Sequence, residues 1–213
     1  HDGVAVMVKA PIELIVFDMD GVLCHYDFPR RLACLAQKTG LDTDFIDERI
    51  FRSGFDDQGD QGRFSAAEYL RKFGDKLGVS VAREDWLWAR RVPMTPDTAM
   101  LALVARLQEQ QVQVAMLTNN GPLLQEGLAE GFTQAADLFG AQAYFSCQFS
   151  STKEDPAIFH ALLDSLGGRA ERTLFIDDSE IYIAAARKAG LQVHHFAGID
   201  GLLAALEPAN ILI

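Results

Sequence analysis

The chain has 213 residues, of which 49% are hydrophobic and 23% charged. That composition excludes a disordered or fibrous chain, and no run approaches the roughly 18 apolar residues of a membrane span. Nineteen Lys+Arg against thirty Asp+Glu leave a formal net charge of −11. An acidic surface repels phosphate backbones, so nucleic acid is not an expected partner, and any phosphate site must be a local positive feature.

Residues 1–9 lack the charged start and long apolar run of a signal peptide. The first clear element is the apolar run Leu14-Ile15-Val16-Phe17, which ends in Asp18-Met19-Asp20-Gly21 and reads as a strand buried on both faces. From about Tyr26 to Arg91 the pattern turns helical, with helices predicted over 30–38, 44–51, 65–77 and 83–91 and a polar, Gly-rich loop over 54–62. Tyr69, Phe64 and Phe73 read as the core of this helical region, and Arg30, Arg52 and Arg63 as solvated. Trp86 and Trp88, two apart on one helix, cannot share a face. Pro93 and Pro96 mark a return to alternating elements. A helix is predicted over 98–110, strands over 112–117 and 143–146, a helix over 156–166, a strand over 173–176, a helix over 180–188 ending near Gly190, and a strand over 191–196. Strands alternating with helices imply a mostly parallel α/β sheet. The resulting division is an α/β core from 1–24 and 92–213, with an all-helical insertion over 25–91.

The three cysteines, Cys24, Cys34 and Cys147, form no CxxC pair, which fits a reducing, cytoplasmic setting without structural zinc. The chemistry gathers at predicted C-terminal strand ends, where α/β sheets bind ligands. Asp18 and Asp20 are spaced to point to one side. They suit a divalent cation, or an attacking carboxylate with a proton shuttle, or merely an Asx turn into Gly21. Thr118-Asn119 offers a hydroxyl, an amide and free N–H groups before a helix, as an anion site or a cap. Asp177-Asp178 ends another strand, and Lys153 stands before Asp155-Pro156 at a helix start. Together they form a consistent set: acids hold Mg²⁺, the metal and Lys153 neutralise a phosphate, Thr118 and Asn119 bond its oxygens, and one aspartate attacks phosphorus.

The order DxDGV, hydrophobic-Thr-Asn, Lys-x-Asp-Pro and Asp-Asp-Ser resembles the four motifs of the haloacid dehalogenase superfamily, over about Ile12 to Leu206. The resemblance implies a Rossmann-like parallel-sheet core with a small helical cap inserted after the first motif. Thr118-Asn119 and Tyr26-Asp27-Phe28 look like the branch holding glucose-1-phosphatase-type enzymes and the phosphatase domain of soluble epoxide hydrolase. The same resemblance implies roles. Asp18 would be nucleophile and Mg²⁺ ligand. Asp20 would be general acid and then base, binding Mg²⁺ through its carbonyl. Thr118, Asn119 and Lys153 would hold phosphate, Asp178 would ligate the metal directly, and Asp177 would act through water or from behind.

Asp20 separates two chemistries, because a leaving alkoxide needs a proton and a leaving halide does not; phosphoryl transfer is therefore favoured over dehalogenation. Glu154 stands where the third motif commonly has proline, adding a negative charge beside Lys153. The expectation is a Mg²⁺-dependent phosphatase, monomer or dimer, acting on a small phosphomonoester such as a sugar phosphate. The rivals are a phosphosugar mutase of the same fold and a catalytically silent binding protein. A signalling receiver is disfavoured by the late Asp-Asp pair and by the insertion. His25, Tyr26, Arg30, Arg52, Arg63 and Tyr69 are candidate substrate contacts, and His194-His195 reads as structural, not as a metal site.

Overall fold

The computed structural model describes residues 9–211, so the stretch 1–8 lies outside the described residues. The strands, in chain order, are β1 (Leu14–Phe17), β2 (Cys24–Tyr26), β3 (Met94–Pro96), β4 (Gln113–Thr118), β5 (Ala143–Phe145), β6 (Thr173–Asp177) and β7 (Gln192–His195). Five of them form one parallel sheet in the order β5-β4-β1-β6-β7. β1 is central, and its side chains alternate with the two-residue period of a strand. Ile15 and Phe17 join one apolar cluster with Met100, Val104, Leu107 and Leu202. Leu14 and Val16 join another with Phe159, Leu162, Ile183 and Ala186. Helices therefore cover both faces, and the unbroken apolar run of β1 follows from burial on each side. The fold is a Rossmann-like α/β core of the kind that the sequence predicts.

The order of the strands places the ends of β1, β4 and β6 side by side. Leu14 pairs with Gln113 on one flank and with Thr173 on the other. Asp18, Thr118 and Asp177 thus emerge at one edge, where the strand order turns outward on both sides of β1, the crevice where such sheets take ligands.

Between β1 and β4 the chain makes its helical excursion. Helices Phe28–Thr39, Ala66–Leu77 and Arg83–Arg91 match the predicted ones. Ser65 and Glu68 close a reciprocal capping box on the second of these. Two details differ from expectation. Residues 54–62 are not simply loop: Phe55–Asp60 is helical, anchored by buried Phe55 and by the close packing of Gly59 on the Tyr69 ring. Asp56 and Asp57 in its first turn favour the positive end of the helix. The 44–51 helix is a short α-helical turn, Thr43–Ile46, continuing as a π-helix, Asp47–Arg52. The sequence reading also missed the antiparallel ribbon of β2 with β3, which pairs Cys24 with Pro96 and Tyr26 with Met94 where the excursion leaves and rejoins the core. At three residues each, these strands are too short to show a period.

Tyr69 and Phe73 are buried, and Tyr69 stacks on Phe55 with 5.3 Å between ring centroids. Trp86 packs edge-on to Tyr69, whereas Trp88 is half-buried under the Lys38 ammonium. Among the described residues, no helix is long and apolar enough to cross a membrane.

Candidate active site

The sheet edge assembles a buried ion-pair cluster. The Lys153 ammonium, 1% exposed, donates to Asp18 Oδ1 at 2.6 Å and to Asp177 Oδ2 at 2.8 Å. Burial works against the charged ammonium, but the Asp18 and Asp177 carboxylates prevail and hold its pKa above the usual lysine value. Burial pushes the Asp18 carboxyl up to about 8, against the pull of Lys153. Glu154, the departure in the third motif, points into solvent and leaves this contact intact. Lys153 is fixed from its backbone as well: its N–H donates to Asn119 Oδ1 at 3.0 Å. The Asn119 side-chain oxygen is therefore engaged in holding the lysine loop.

Asp177 is engaged at both oxygens: Oδ2 accepts from Lys153, and Oδ1 accepts from the Ser179 N–H at 2.9 Å. Asp178, by contrast, is exposed and stands over Gly21. The turn after β1 needs that glycine twice over. Its φ is +90°, and a Cβ there would run into the Asp178 carboxylate. His195 Nε2 lies 2.9 Å from the Asp178 carbonyl oxygen, so this histidine braces the loop. One carboxylate oxygen from each of Asp18, Asp177 and Asp178 falls within 4.8 Å of the others. Three carboxyl groups gather around one ammonium, and every donor offered to a metal is oxygen. This set fits Mg²⁺ and does not suit a soft metal.

Asp20 and Thr118 complete the edge. Thr118 Oγ1 accepts from Asn120 Nδ2 at 2.7 Å, and Asn120 Nδ2 also lies 3.4 Å from Asp20 Oδ2. All seven residues singled out in the sequence thus surround one crevice, with Asn119 acting there through its link to Lys153.

Two arginines were not foreseen. Arg90 reaches from the last helix of the excursion to Asp20, with Nη2 2.6 Å from Oδ2, and its guanidinium lies over the Tyr26 ring at 4.4 Å. On the other side of Tyr26, Arg31 donates to the phenol oxygen at 3.1 Å and lies over the Phe51 and Trp86 rings. Both arginines are buried. A signal was present in the sequence. Arg90 follows Trp86 by four and Leu87 by three, and Arg31 precedes Cys34 and Leu35 by three and four, so each lies on its helix's apolar stripe. Of the other candidates, Tyr26 and Tyr69 face this region, while His25, Arg30, Arg52 and Arg63 are exposed.

Residues 12–190 match the haloacid dehalogenase-like hydrolase family. The chain is 33% identical over 208 residues to a phosphoglycolate phosphatase of Rhodospirillum rubrum, covering 84% of this chain and 77% of that protein. It is 24% identical over 192 residues to a D-ribitol-5-phosphate phosphatase of Bacteroides thetaiotaomicron, covering 85% and 90%. A magnesium complex of a family enzyme from Bacteroides thetaiotaomicron shares the fold, with TM-score 0.69 and 23% identity over 87% of this chain and 93% of that one. The chain belongs to the haloacid dehalogenase-like hydrolases. Within that family it is a phosphoric monoester hydrolase acting on small phosphorylated substrates.

Proposed function

We propose that the chain is a Mg²⁺-dependent phosphatase that hydrolyses a sugar phosphate or similar small phosphomonoester through an aspartyl-phosphate on Asp18. The observation that carries this reading is the Lys153 ammonium shared by Asp18 and Asp177, with Asp178 alongside and Asp20 two residues on. Asp18, Asp178 and the Asp20 carbonyl would hold the ion, with Asp177 behind them. When bound, Mg²⁺ supplies positive charge that screens the attacking carboxylate from the phosphate.

The chain's own groups account for the remainder. Lys153 orients Asp18 and attracts the phosphoryl oxygens, and Thr118 Oγ1 and the Asn119 N–H donate to those oxygens. An Asp18 carboxylate oxygen attacks phosphorus as the P–O bond to the leaving group breaks, and Asp20 gives that oxygen its proton. Asp20 then takes a proton from the water that attacks the aspartyl-phosphate. This releases phosphate and restores Asp18. The helical excursion 25–91 serves as the cap that shields these steps from bulk water. This reading puts the enzyme in the cytoplasm, as a monomer or dimer.

Hydrolysis of p-nitrophenyl phosphate, followed with Mg²⁺ and with EDTA, tests the proposal. Turnover should require the metal and vanish in Asp18→Asn while the melting curve stays cooperative. Near-wild-type activity in that variant would overturn the assignment, and isomerised sugar phosphate without phosphate release would favour a mutase.

A further inference from the structure

Arg90 carries two features that ion pairing with Asp20 does not explain. Its Nε and Nη1 are buried and have no acceptor, as do Arg31 Nε and Trp86 Nε1 on the same wall. Leaving buried donors unpaired is costly, so a cluster of them marks a place where an acceptor is expected to arrive. The cluster also lies in the right place. Arg90 Nη2 sits between Asp20 Oδ2 at 2.6 Å and Asn120 Oδ1 at 3.5 Å. A leaving oxygen that takes a proton from Asp20 therefore has its next carbons beside Arg90.

The surrounding charge limits what those carbons can bear. Asp20 answers Arg90 directly. Asp56 accepts from the Tyr69 hydroxyl at 2.6 Å and acts on Arg31. Asp60, on the same short helix, is joined to the catalytic crevice through Ser146, whose hydroxyl donates to the Asp60 carbonyl at 2.7 Å and lies 3.4 Å from the Asn120 carbonyl. Burial, followed by Asp56 and Asp57, raises the Asp60 carboxyl well above its usual value. Two guanidiniums thus face three carboxyls, and the wall has no surplus positive charge. A carboxylate or a second phosphate on the leaving group would meet Asp20, Asp56 and Asp60 as like or competing charges. A hydroxyl meets no such conflict, since it accepts from the free N–H groups and donates to the carboxyls.

We propose that Arg90, backed by Arg31, is the specificity-determining group of the leaving-group side and selects an uncharged, hydroxyl-bearing leaving group over one bearing an acid. The inference rests on the phosphatase reading above.

Three esters with one three-carbon skeleton test it: glycerol 3-phosphate, 3-phosphoglycerate and n-propyl phosphate. In the wild type, kcat/KM for glycerol 3-phosphate should exceed each of the others by about tenfold or more, the scale of one hydrogen bond to a charged donor. In Arg90→Met the glycerol-to-propyl ratio should collapse toward one, and Arg90→Lys, which keeps the charge but not the planar fork, should fall between. The ratio is the readout because disturbance of Asp20 slows both alkyl esters alike. A ratio preserved in a folded Arg90→Met or Arg90→Lys would overturn the proposal and leave Arg90 a positioning residue for Asp20. Preference for 3-phosphoglycerate would overturn it in favour of acid recognition. If the wild type also fails on p-nitrophenyl phosphate with Mg²⁺, the phosphatase reading itself falls, and this inference with it.

Discussion

Replacing Lys153 by Met should destabilise the metal-free protein by an amount that the buried cluster sets. The ammonium is the cation between Asp18 and Asp177, and both carboxylates are buried. Removing one partner of a buried ion pair costs about 3–5 kcal/mol. For a chain of this length the loss corresponds to a fall of about 6–20 °C in Tm. The sign with pH follows from the direction of the shift. With Lys153 present the folded Asp18 carboxyl already titrates up near 8, so wild type and variant lose stability alike as pH rises from the unfolded value toward that point. Loss of the ammonium raises the carboxyl further, so the deficit should widen above about pH 8, where Asp18 ionises in the wild type and not in the variant. Calorimetric melting in EDTA at pH 7.5 and at pH 9.5 measures this. Mg²⁺ should stabilise the variant more than the wild type, since it supplies the missing positive charge. A variant melting within about 2 °C of wild type at pH 7.5 in EDTA would refute the electrostatic reasoning, because that shift is worth no more than about 1 kcal/mol.

Three further outcomes follow from the same geometry. Gly21→Ala should reduce Mg²⁺-dependent turnover by about 100-fold or more, because the left-handed turn and the Asp178 carboxylate leave no room for a Cβ; retention of half the activity would show that the loop adapts. Asp178→Asn should raise the Mg²⁺ concentration for half-activation more than Asp177→Asn does, since Asp177 is already bonded to Lys153 and Ser179. Calorimetric titration of both variants with Mg²⁺ decides the order, and the reverse order would exchange their assigned roles. Phe159→Ala, which removes an edge-on contact with Phe175 at 4.9 Å between centroids, should cost about 3–5 kcal/mol of stability, read as a lower urea midpoint at unchanged slope.

The core was legible because its signals are local. Each strand is an apolar run, each ends in a chemically distinct group, and the parallel order brings those ends together whatever the loops do. Asp18, Asp20, Thr118, Lys153 and Asp177 are each one or a few residues past such a run or at a helix start. The ribbon of β2 with β3 was not legible, since His25 and Thr95 pair across three-residue strands that show no alternation. Nor was the helix Phe55–Asp60, whose polar sequence is held by tertiary packing on Tyr69. Arg31 and Arg90 were overlooked for a different reason. Their positions on apolar stripes were readable, but arginine is mostly an exposed residue type and neither was singled out. The exception lies in the protein's most specific chemistry, where a buried charge has a local partner.

The distribution of buried polarity connects these observations. Among the described residues, the buried polar and charged side chains are Asp18, Arg31, Arg90, Thr118, Ser146, Lys153, Thr173 and Asp177. All but Thr173 lie at the sheet edge or on the wall above it. Burying such groups lowers stability unless each finds partners, so stability alone gives no reason to gather them at one edge. The three buried cations do so in a chain whose formal net charge is −11. Lys153 serves the phosphoryl end and Arg90 the leaving-group end, with Asp20 between them, in contact with Arg90 and two residues from the partner of Lys153. The arrangement divides the substrate as its chemistry does, into an anionic half drawn by the buried lysine and an uncharged half read by the arginine wall.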